Sequence, residues 1–91
     1  MAQPSTGWSG ATRLKTRHLL LLVHLYEQRS VLRAAEAANM TQPAASKLLA
    51  EMESLLGVSL FERHARGEQP TRYGQVLIRR ARAALSEIGR A

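Results

Sequence analysis

Several residue types are missing from this sequence, and each absence argues against a class of function. The chain has no cysteine, which excludes a disulfide framework, a thiolate nucleophile and a cysteine-based metal site. It also has no aspartate, because all 7 acidic residues are glutamate. Of the 3 histidines, His18 and His24 lie six positions apart on one predicted helix and His64 lies on the predicted wing, so they lack the spacing of metal ligands. There is no glycine-rich phosphate loop, so we expect a protein that is not an enzyme and uses no metal or cofactor.

Long apolar runs are missing as well. The segment Leu19–Leu25 is interrupted by His24 and is far shorter than the roughly 20 residues that a helix needs to cross a bilayer. The first ten residues do not show a cationic region followed by an apolar core, so we expect no signal peptide. We therefore expect a cytoplasmic protein with no membrane partner.

What the sequence does have is an excess of arginine. Its 13 Lys+Arg residues against 7 acids give a net charge of +6, and 11 of the 13 are arginine. A basic small domain indicates a polyanionic partner, because the guanidinium fork suits phosphates and guanine edges. A surface that is merely basic and solvated explains the charge about equally well. At 91 residues the chain forms one small domain with a thin core, which a second copy would help to stabilise.

Changes in composition and in apolar spacing along the sequence divide the chain into three parts. Residues 1–14 are rich in Gly, Ser, Thr and Pro and are predicted to form a flexible N-terminal arm. Residues 15–71 are predicted to form the central domain, and residues 72–91 a final linker helix.

Within the central domain, apolar spacing predicts a helix over residues 15–28 and a second, alanine-rich helix over 31–39. Small residues let two helix backbones approach closely. A third helix begins after Thr41, has Pro43 in its first turn and ends before Gly57. Its predicted buried stripe is Ala45, Leu48, Leu49, Met52, Leu55 and Leu56. Two helices joined by so short a turn predict a helix-turn-helix.

A short basic β-hairpin, or wing, is predicted next. Val58, Leu60 and Phe61 begin a strand, residues 64–69 supply a turn, and Pro70 leads the return. A fourth helix follows Thr71. Its apolar stripe is Tyr73, Val76, Leu77, Ala81, Ala84, Leu85 and Ile88. Most such stripes are core, but this one follows a complete three-helix unit. We therefore predict antiparallel pairing with the same helix of a second chain, which places two third helices on successive major grooves.

The start of the third helix carries short polar side chains that suit base edges. A helix N-terminus in a major groove offers free N–H groups to phosphate. Gln42 can bond adenine at two atoms, Ser46 is permissive, and Lys47 reaches guanine or phosphate. An ordinary capped surface helix is the alternative, and the alanine-rich helix upstream favours DNA over it.

The predicted wing carries Arg63 and Arg66, and a basic hairpin tip fits a narrow, A·T-rich minor groove. A solvated loop is the alternative reading of this segment. Arg63 follows the apolar pair Leu60-Phe61 after one glutamate. A further alternative is therefore that the aliphatic stem of Arg63 supports the core.

Together, these motifs resemble the DNA-binding domain of LysR-type transcriptional regulators. The residues that carry the likeness are Ala34-Ala35, Thr41-Gln42-Pro43-Ala44-x-Ser46, Glu53, Leu56-Gly57, Leu60-Phe61-Glu62-Arg63, Arg66 and Thr71-x-x-Gly74. The resemblance covers roughly residues 16–91 and implies a mainly α winged helix-turn-helix with a β-hairpin wing and a dimerising C-terminal linker helix.

By position, the resemblance also implies roles for individual residues. Major-groove contacts would come from Gln42, Pro43, Ser46 and Lys47, and a minor-groove contact from Arg66. Phosphate contacts would come from Arg17, Ser30, Arg33 and Thr41. Lys47 stands where arginine is common, which weakens the expectation of a bidentate guanine contact, and Pro70 replaces a usual apolar residue, which stiffens the return strand.

We therefore predict sequence-specific binding of double-stranded DNA as a homodimer. The resemblance also implies a parent protein that binds a small-molecule inducer through a domain absent here. Two alternatives remain at this point: a helical protein–protein interaction module that does not bind DNA, and non-specific, nucleoid-type DNA binding.

Overall fold

A computed structural model describes residues 14–90, with side chains up to Glu87. The predicted arm, including Trp8, and the side chain of Ile88 lie outside the described residues, whereas Leu14, which we assigned to the arm, is half-buried against the core. The elements are α1 (Thr16–Gln28), α2 (Val31–Ala37), α3 (Gln42–Leu56), β1 (Phe61–His64), β2 (Gly67–Pro70) and α4 (Arg72–Arg90). The predicted mainly α fold with a two-stranded wing is confirmed.

Local capping fixes the ends of α1 and the start of α2. The Lys15 backbone N–H donates to Nδ1 of His18 over 2.9 Å at the start of α1. At the other end Arg29 takes a left-handed conformation with φ 58°, which turns the chain sharply. Ser30 then caps α2, since its Oγ accepts a bond from the backbone N–H of Arg33 over 3.2 Å.

The connection between α2 and α3 is longer than the sequence predicted. Helix α2 ends at Ala37 rather than Asn39, because Asn39 adopts φ 60° and acts as the left-handed terminator that glycine usually provides. The Met40 N–H donates to the carbonyl of Ala35 over 2.9 Å and closes the turn. Thr41 caps α3 through Ala44 N–H, and Gly57 ends it with φ 74°, both as predicted.

One hydrophobic core joins all four helices and the wing. Its buried members are Leu21, Leu22, Leu25, Ala34, Ala35, Ala45, Leu48, Met52, Leu60, Phe61 and Ile78. Ile78, which the predicted stripe of α4 left out, is only 4% exposed. Ala81 is 1% exposed, so it faces the core of its own chain and is not available to the dimer surface to which we assigned it.

The wing starts later and turns more tightly than predicted. Its strands are antiparallel, with Phe61 opposite Pro70 and His64 opposite Gly67, so the turn is Ala65-Arg66 alone. Val58 and Leu60 therefore precede the strand, and residues 67–69, which we assigned to the turn, form most of β2. The carboxylate of Glu53 causes the late start: its Oε2 accepts the N–H of Leu60 at 2.7 Å and of Phe61 at 3.3 Å.

Strand β2 of the wing is attached to the α1–α2 corner. The Glu68 N–H donates to the carbonyl of Arg29 over 2.9 Å. Gly67 has φ +107°, and a Cβ there would overlap that same carbonyl oxygen. Glycine is thus needed for both the backbone conformation and the close approach.

Thr71 connects the wing to α4. Its N–H donates to the carbonyl of Leu60 (2.9 Å), its hydroxyl donates to the carbonyl of Ser59 (2.6 Å) and accepts from Gly74 N–H (3.1 Å). A Cβ on Gly74 would overlap the Leu60 carbonyl, so α4 passes very close to the start of the wing. Across residues 14–90, none of the helices combines the length and apolarity needed to cross a membrane.

Candidate nucleic-acid interface

The first turns of α3 present an exposed polar surface. Gln42, Pro43, Ser46 and Lys47 are all exposed, while Ala45 beside them is fully buried. The buried alanine holds this end of the helix against the core. The predicted base-reading residues therefore project from a rigid element, which keeps their geometry fixed as a partner approaches.

Two capping hydroxyls sit beside this surface, at Ser30 and Thr41. Each oxygen accepts one backbone N–H, and both distances are 3.2 Å. A hydroxyl keeps its own O–H as a donor when its oxygen is accepting. Both residues can therefore cap their helices and donate to a phosphate oxygen at the same time.

The structure brings the start of α2, the start of α3 and the wing around one groove of about 230 Å³. We call it the readout groove, and it is lined by Arg29, Ser30, Val31, Leu32, Gln42, Arg63, Gly67 and Glu68. It unites three residues that the sequence assigned to different parts of the interface: Ser30, Gln42 and Arg63. Arg66 lies at the tip of the hairpin, exposed and outside this groove.

Sequence reasoning missed two side chains of the readout groove. Leu32 is 50% exposed on α2, where it presents an apolar surface beside Gln42. Glu68 is only 8% exposed and places a carboxylate among the basic groups. The burial of Glu68 was not predicted, because we assigned this residue to the turn from the sequence. Side chains alternate between the two faces of a strand, so recognising β2 would have placed Glu68 on its inner face.

Arg63 and Glu68 are cross-strand partners, and their charges lie 3.6 Å apart. The Arg63 side chain is 83% exposed, so it does not support the core with its stem, and the pair contributes little to stability. The geometry instead holds the guanidinium over the readout groove, where it can exchange a carboxylate oxygen for a phosphate oxygen.

Arg17 and Arg33, two of the predicted phosphate contacts, are exposed on α1 and α2. Next to Arg17, His18 is 6% exposed and uses its Nδ1 to accept the Lys15 N–H. Burial lowers the pKa of His18 below its ordinary 6.5, and the neighbouring Arg17 guanidinium adds to that effect. The neutral imidazole is the form that accepts a bond at Nδ1, so the lowered pKa favours the capped start of α1.

The outer face of α4 keeps part of its predicted stripe exposed. Tyr73 is 54% and Val76 45% exposed, whereas Leu77, Ala84 and Leu85 are half-buried. Large apolar side chains with this exposure form a surface that a partner would cover.

The sequence of this chain is similar to the sequences of known proteins. A family model for bacterial regulatory helix-turn-helix proteins, lysR family, matches residues 16–75. The transcriptional regulator GbpR of Azospirillum brasilense is 54% identical over 81 residues, covering 89% of this chain and 24% of the regulator. The regulator PcaQ of Agrobacterium fabrum is 46% identical over 79 residues, covering 87% of this chain and 25% of the regulator. The chain thus spans about a quarter of the length of these relatives.

Solved structures show the same architecture. The DNA-binding domain of CbnR in complex with DNA has a TM-score of 0.77 at 30% identity, covering 85% of this chain and 88% of that one. The BenM DNA-binding domain in complex with catB site 1 DNA has a TM-score of 0.79 at 30% identity, covering 85% and 86%. Both neighbours were solved as complexes with DNA.

Proposed function

The chain belongs to the lysR family of bacterial regulatory helix-turn-helix proteins and is a LysR-type DNA-binding domain, and from this we propose that it reads a specific duplex sequence as a homodimer. The observation that carries the proposal is the readout groove, in which the first turn of α3, the cap of α2 and the wing meet. Ser30, Gln42 and Arg63 in its lining suit a ridge of phosphates beside exposed base edges. The Glu68 carboxylate in the same lining is paired with Arg63.

Base reading is assigned to the first turns of α3. In a major groove, Gln42 bonds adenine at N6 and N7, and Lys47 donates to guanine or to a phosphate. Ser46 takes whichever edge it meets, and Pro43 offers an apolar contact to a thymine methyl group. Their shared exposure on one rigid helix end supports this role.

Phosphate contacts are assigned to Ser30, which lines the readout groove, and to three exposed residues outside its lining. Ser30 and Thr41 donate their free O–H groups, and Arg17 and Arg33 supply charge. These contacts set the register of the domain on the duplex but carry no sequence information. Most of the affinity comes from them, which makes binding sensitive to salt.

The wing is assigned to the minor groove. Arg66 sits at the tip of a two-residue turn, where it can enter a narrow groove ahead of the rest of the protein. Arg63 lies opposite Glu68, next to the pair that closes the turn, is 83% exposed and follows the neighbouring DNA backbone.

Dimerisation is assigned to the outer face of α4. Tyr73, Val76 and Leu77 supply the exposed or half-buried apolar surface, continued by Ala84 and Leu85. Pairing two such faces would bury them and place two α3 helices on successive major grooves. Because the relatives are about four times longer than the matched segment, we propose that a separate domain of the parent protein binds a small-molecule inducer. A regulator of this kind works in the cytoplasm, where a bacterial chromosome lies.

Selection of bound sites from a random duplex library tests this proposal. We expect enrichment of a two-fold repeat, and a steep loss of affinity between about 50 and 200 mM salt on the selected site. Steep salt dependence without enrichment would replace the proposal with non-specific, nucleoid-type binding. Absence of binding at low salt would replace it with the protein–protein interaction module.

A further inference from the structure

A second, larger groove lies on another part of the surface, between the end of α1, strand β2 and the first half of α4. Its volume is about 430 Å³. We call it the arginine groove, and it is lined by Tyr26, Arg29, Gln69, Pro70, Gln75, Ile78, Arg79 and Arg82. It shares only Arg29 with the readout groove and contains none of the residues assigned to base reading.

Two of its guanidiniums are held in place on one aromatic ring. The guanidinium carbon of Arg82 lies 5.1 Å from the centroid of Tyr26, and that of Arg29 lies 5.9 Å from it. Arg29 also donates from Nη1 to Oε1 of Gln69 over 2.6 Å. A ligand that binds here meets charges that are already positioned, which reduces the entropy lost on binding.

The arginine groove carries more positive than negative charge. Arg82 pairs with Glu27 across 3.3 Å, and both side chains are about half exposed, at 49% and 47%. Within residues 14–87, Arg29 and Arg79 form no ion pair, and no carboxylate lines the groove. Two uncompensated guanidiniums therefore face one concave surface, an arrangement that favours carboxylates or phosphates.

The floor of the groove distinguishes between these anions. Tyr26 and Pro70 are half-buried and Ile78 is buried, so the cationic walls surround an apolar base. A free phosphate has no apolar group to place there, and the deoxyribose units of a DNA backbone offer only small CH and CH2 groups. A polypeptide that carries glutamates or aspartates around an apolar residue matches both the walls and the floor.

We propose that the arginine groove binds an acidic segment of a partner protein. Carboxylates of the segment bond Arg79 and Arg82, and Arg82 exchanges its half-exposed partner Glu27 for the segment. An apolar side chain between the two arginines rests on Pro70 beside Tyr26. Because the base-reading residues lie elsewhere, the same molecule can hold DNA and the acidic segment together. This inference is independent of the proposed DNA specificity.

The test titrates the whole 91-residue chain into a fluorescent peptide in which glutamates flank a leucine-phenylalanine pair, at about 50 mM salt. We expect Arg79→Ala and Arg82→Ala each to weaken peptide binding about fivefold, the factor expected from one exposed charge pair. Arg80→Ala is the matched control, because it removes the same charge from an exposed neighbouring position outside the groove. It should leave peptide binding unchanged. Replacing the leucine-phenylalanine pair with glycines should also weaken binding.

Duplex binding is measured in parallel on the same variants. The proposal is supported if Arg79→Ala loses peptide affinity and retains duplex affinity. It is also supported if the native chain binds the peptide but no DNA, a result that would contradict the proposed function. Equal losses in all three variants would reduce the effect to overall charge and overturn it. It is equally overturned if the native chain ignores the peptide, if inorganic phosphate displaces the peptide at matched concentration, or if Arg79→Ala weakens duplex binding as much as peptide binding.

Discussion

Replacing Gly67 with alanine should release strand β2 of the wing from the α1–α2 corner. The residue has φ +107°, and an added Cβ would overlap the Arg29 carbonyl oxygen. The unfavourable backbone conformation costs about 1–3 kcal/mol. Relief of the overlap also breaks the 2.9 Å bond from Glu68 N–H to that carbonyl, which adds about 0.5–1.5 kcal/mol. We expect the free energy of unfolding to fall by about 2–4 kcal/mol, a large fraction of the total for a small domain.

Gly57→Ala provides a matched control for this substitution. Gly57 also has positive φ, at +74°, but a Cβ there would meet nothing within 4 Å. Its replacement should cost only the left-handed conformation, about 1 kcal/mol. The difference between the two variants therefore reports the contact between the wing and the α1–α2 corner together with the greater backbone strain at φ +107°.

Urea and thermal unfolding, followed by circular dichroism, measure both variants. For a domain of this size a loss of 1 kcal/mol lowers Tm by roughly 4–8 °C, so the two midpoints should separate clearly. If Gly67→Ala were no more destabilising than Gly57→Ala, the wing would not be held by that corner, and the argument for a fixed readout groove would fail.

The other predictions concern binding and pH. Gln42→Ala should cost about 1–3 kcal/mol of duplex binding and blur preference at one base position; equal losses on specific and random duplexes in an anisotropy assay would contradict it. Arg66→Ala should weaken duplex binding most on sites with an A·T-rich flank. If the loss did not depend on flank composition, the wing tip would not contact the minor groove. Because the pKa of folded His18 is lowered from 6.5, the unfolded chain takes up the proton first as the pH falls. The urea concentration at the unfolding midpoint should therefore decrease as the pH is lowered through about 6.5. His18→Gln should reduce this decrease. If the dependence of the midpoint on pH were unchanged in the variant, another group would be responsible for it. Glu53→Ala leaves the N–H groups of Leu60 and Phe61 without their carboxylate and should destabilise the domain by about 2–4 kcal/mol in the same unfolding assay.

The features that sequence predicted well depend on neighbours a few residues away. Ser30 and Thr41 each cap a helix by accepting an N–H three residues further on, and Gly57 ends α3 through its own backbone conformation. Such signals lie within one turn of helix and can be read directly from spacing.

The hairpin was placed less well because distant residues define it. Its start depends on Glu53, seven and eight positions before the N–H groups it binds. Its strand β2 depends on the carbonyl of Arg29, 39 positions before the donor Glu68. Neither partner belongs to the local pattern of apolar and turn residues, so the predicted turn came out too long and the burial of Glu68 was missed.

The face of α4 that packs inward could not be chosen by periodicity alone. A stripe at helical spacing says which residues share a side, not which side meets the core. Here Gly74 lies against the carbonyl of Leu60, and this contact fixes the rotation of the helix. Ile78 and Ala81 consequently turn inward, and Tyr73 and Val76 remain outside. The predicted dimer surface therefore loses Ala81.

The attachment of the wing has a consequence for recognition. Backbone groups at Arg29 and Leu60 and the carboxylate of Glu53 hold the hairpin, so its position relative to α3 does not depend on the side chains at its tip. Arg66 lies beyond these attachments, exposed in the turn. The fold can therefore keep the spacing between the major-groove surface and the wing constant while residues 65 and 66 change. In this domain, the residues that set the geometry of the wing differ from the residues that we propose to read DNA.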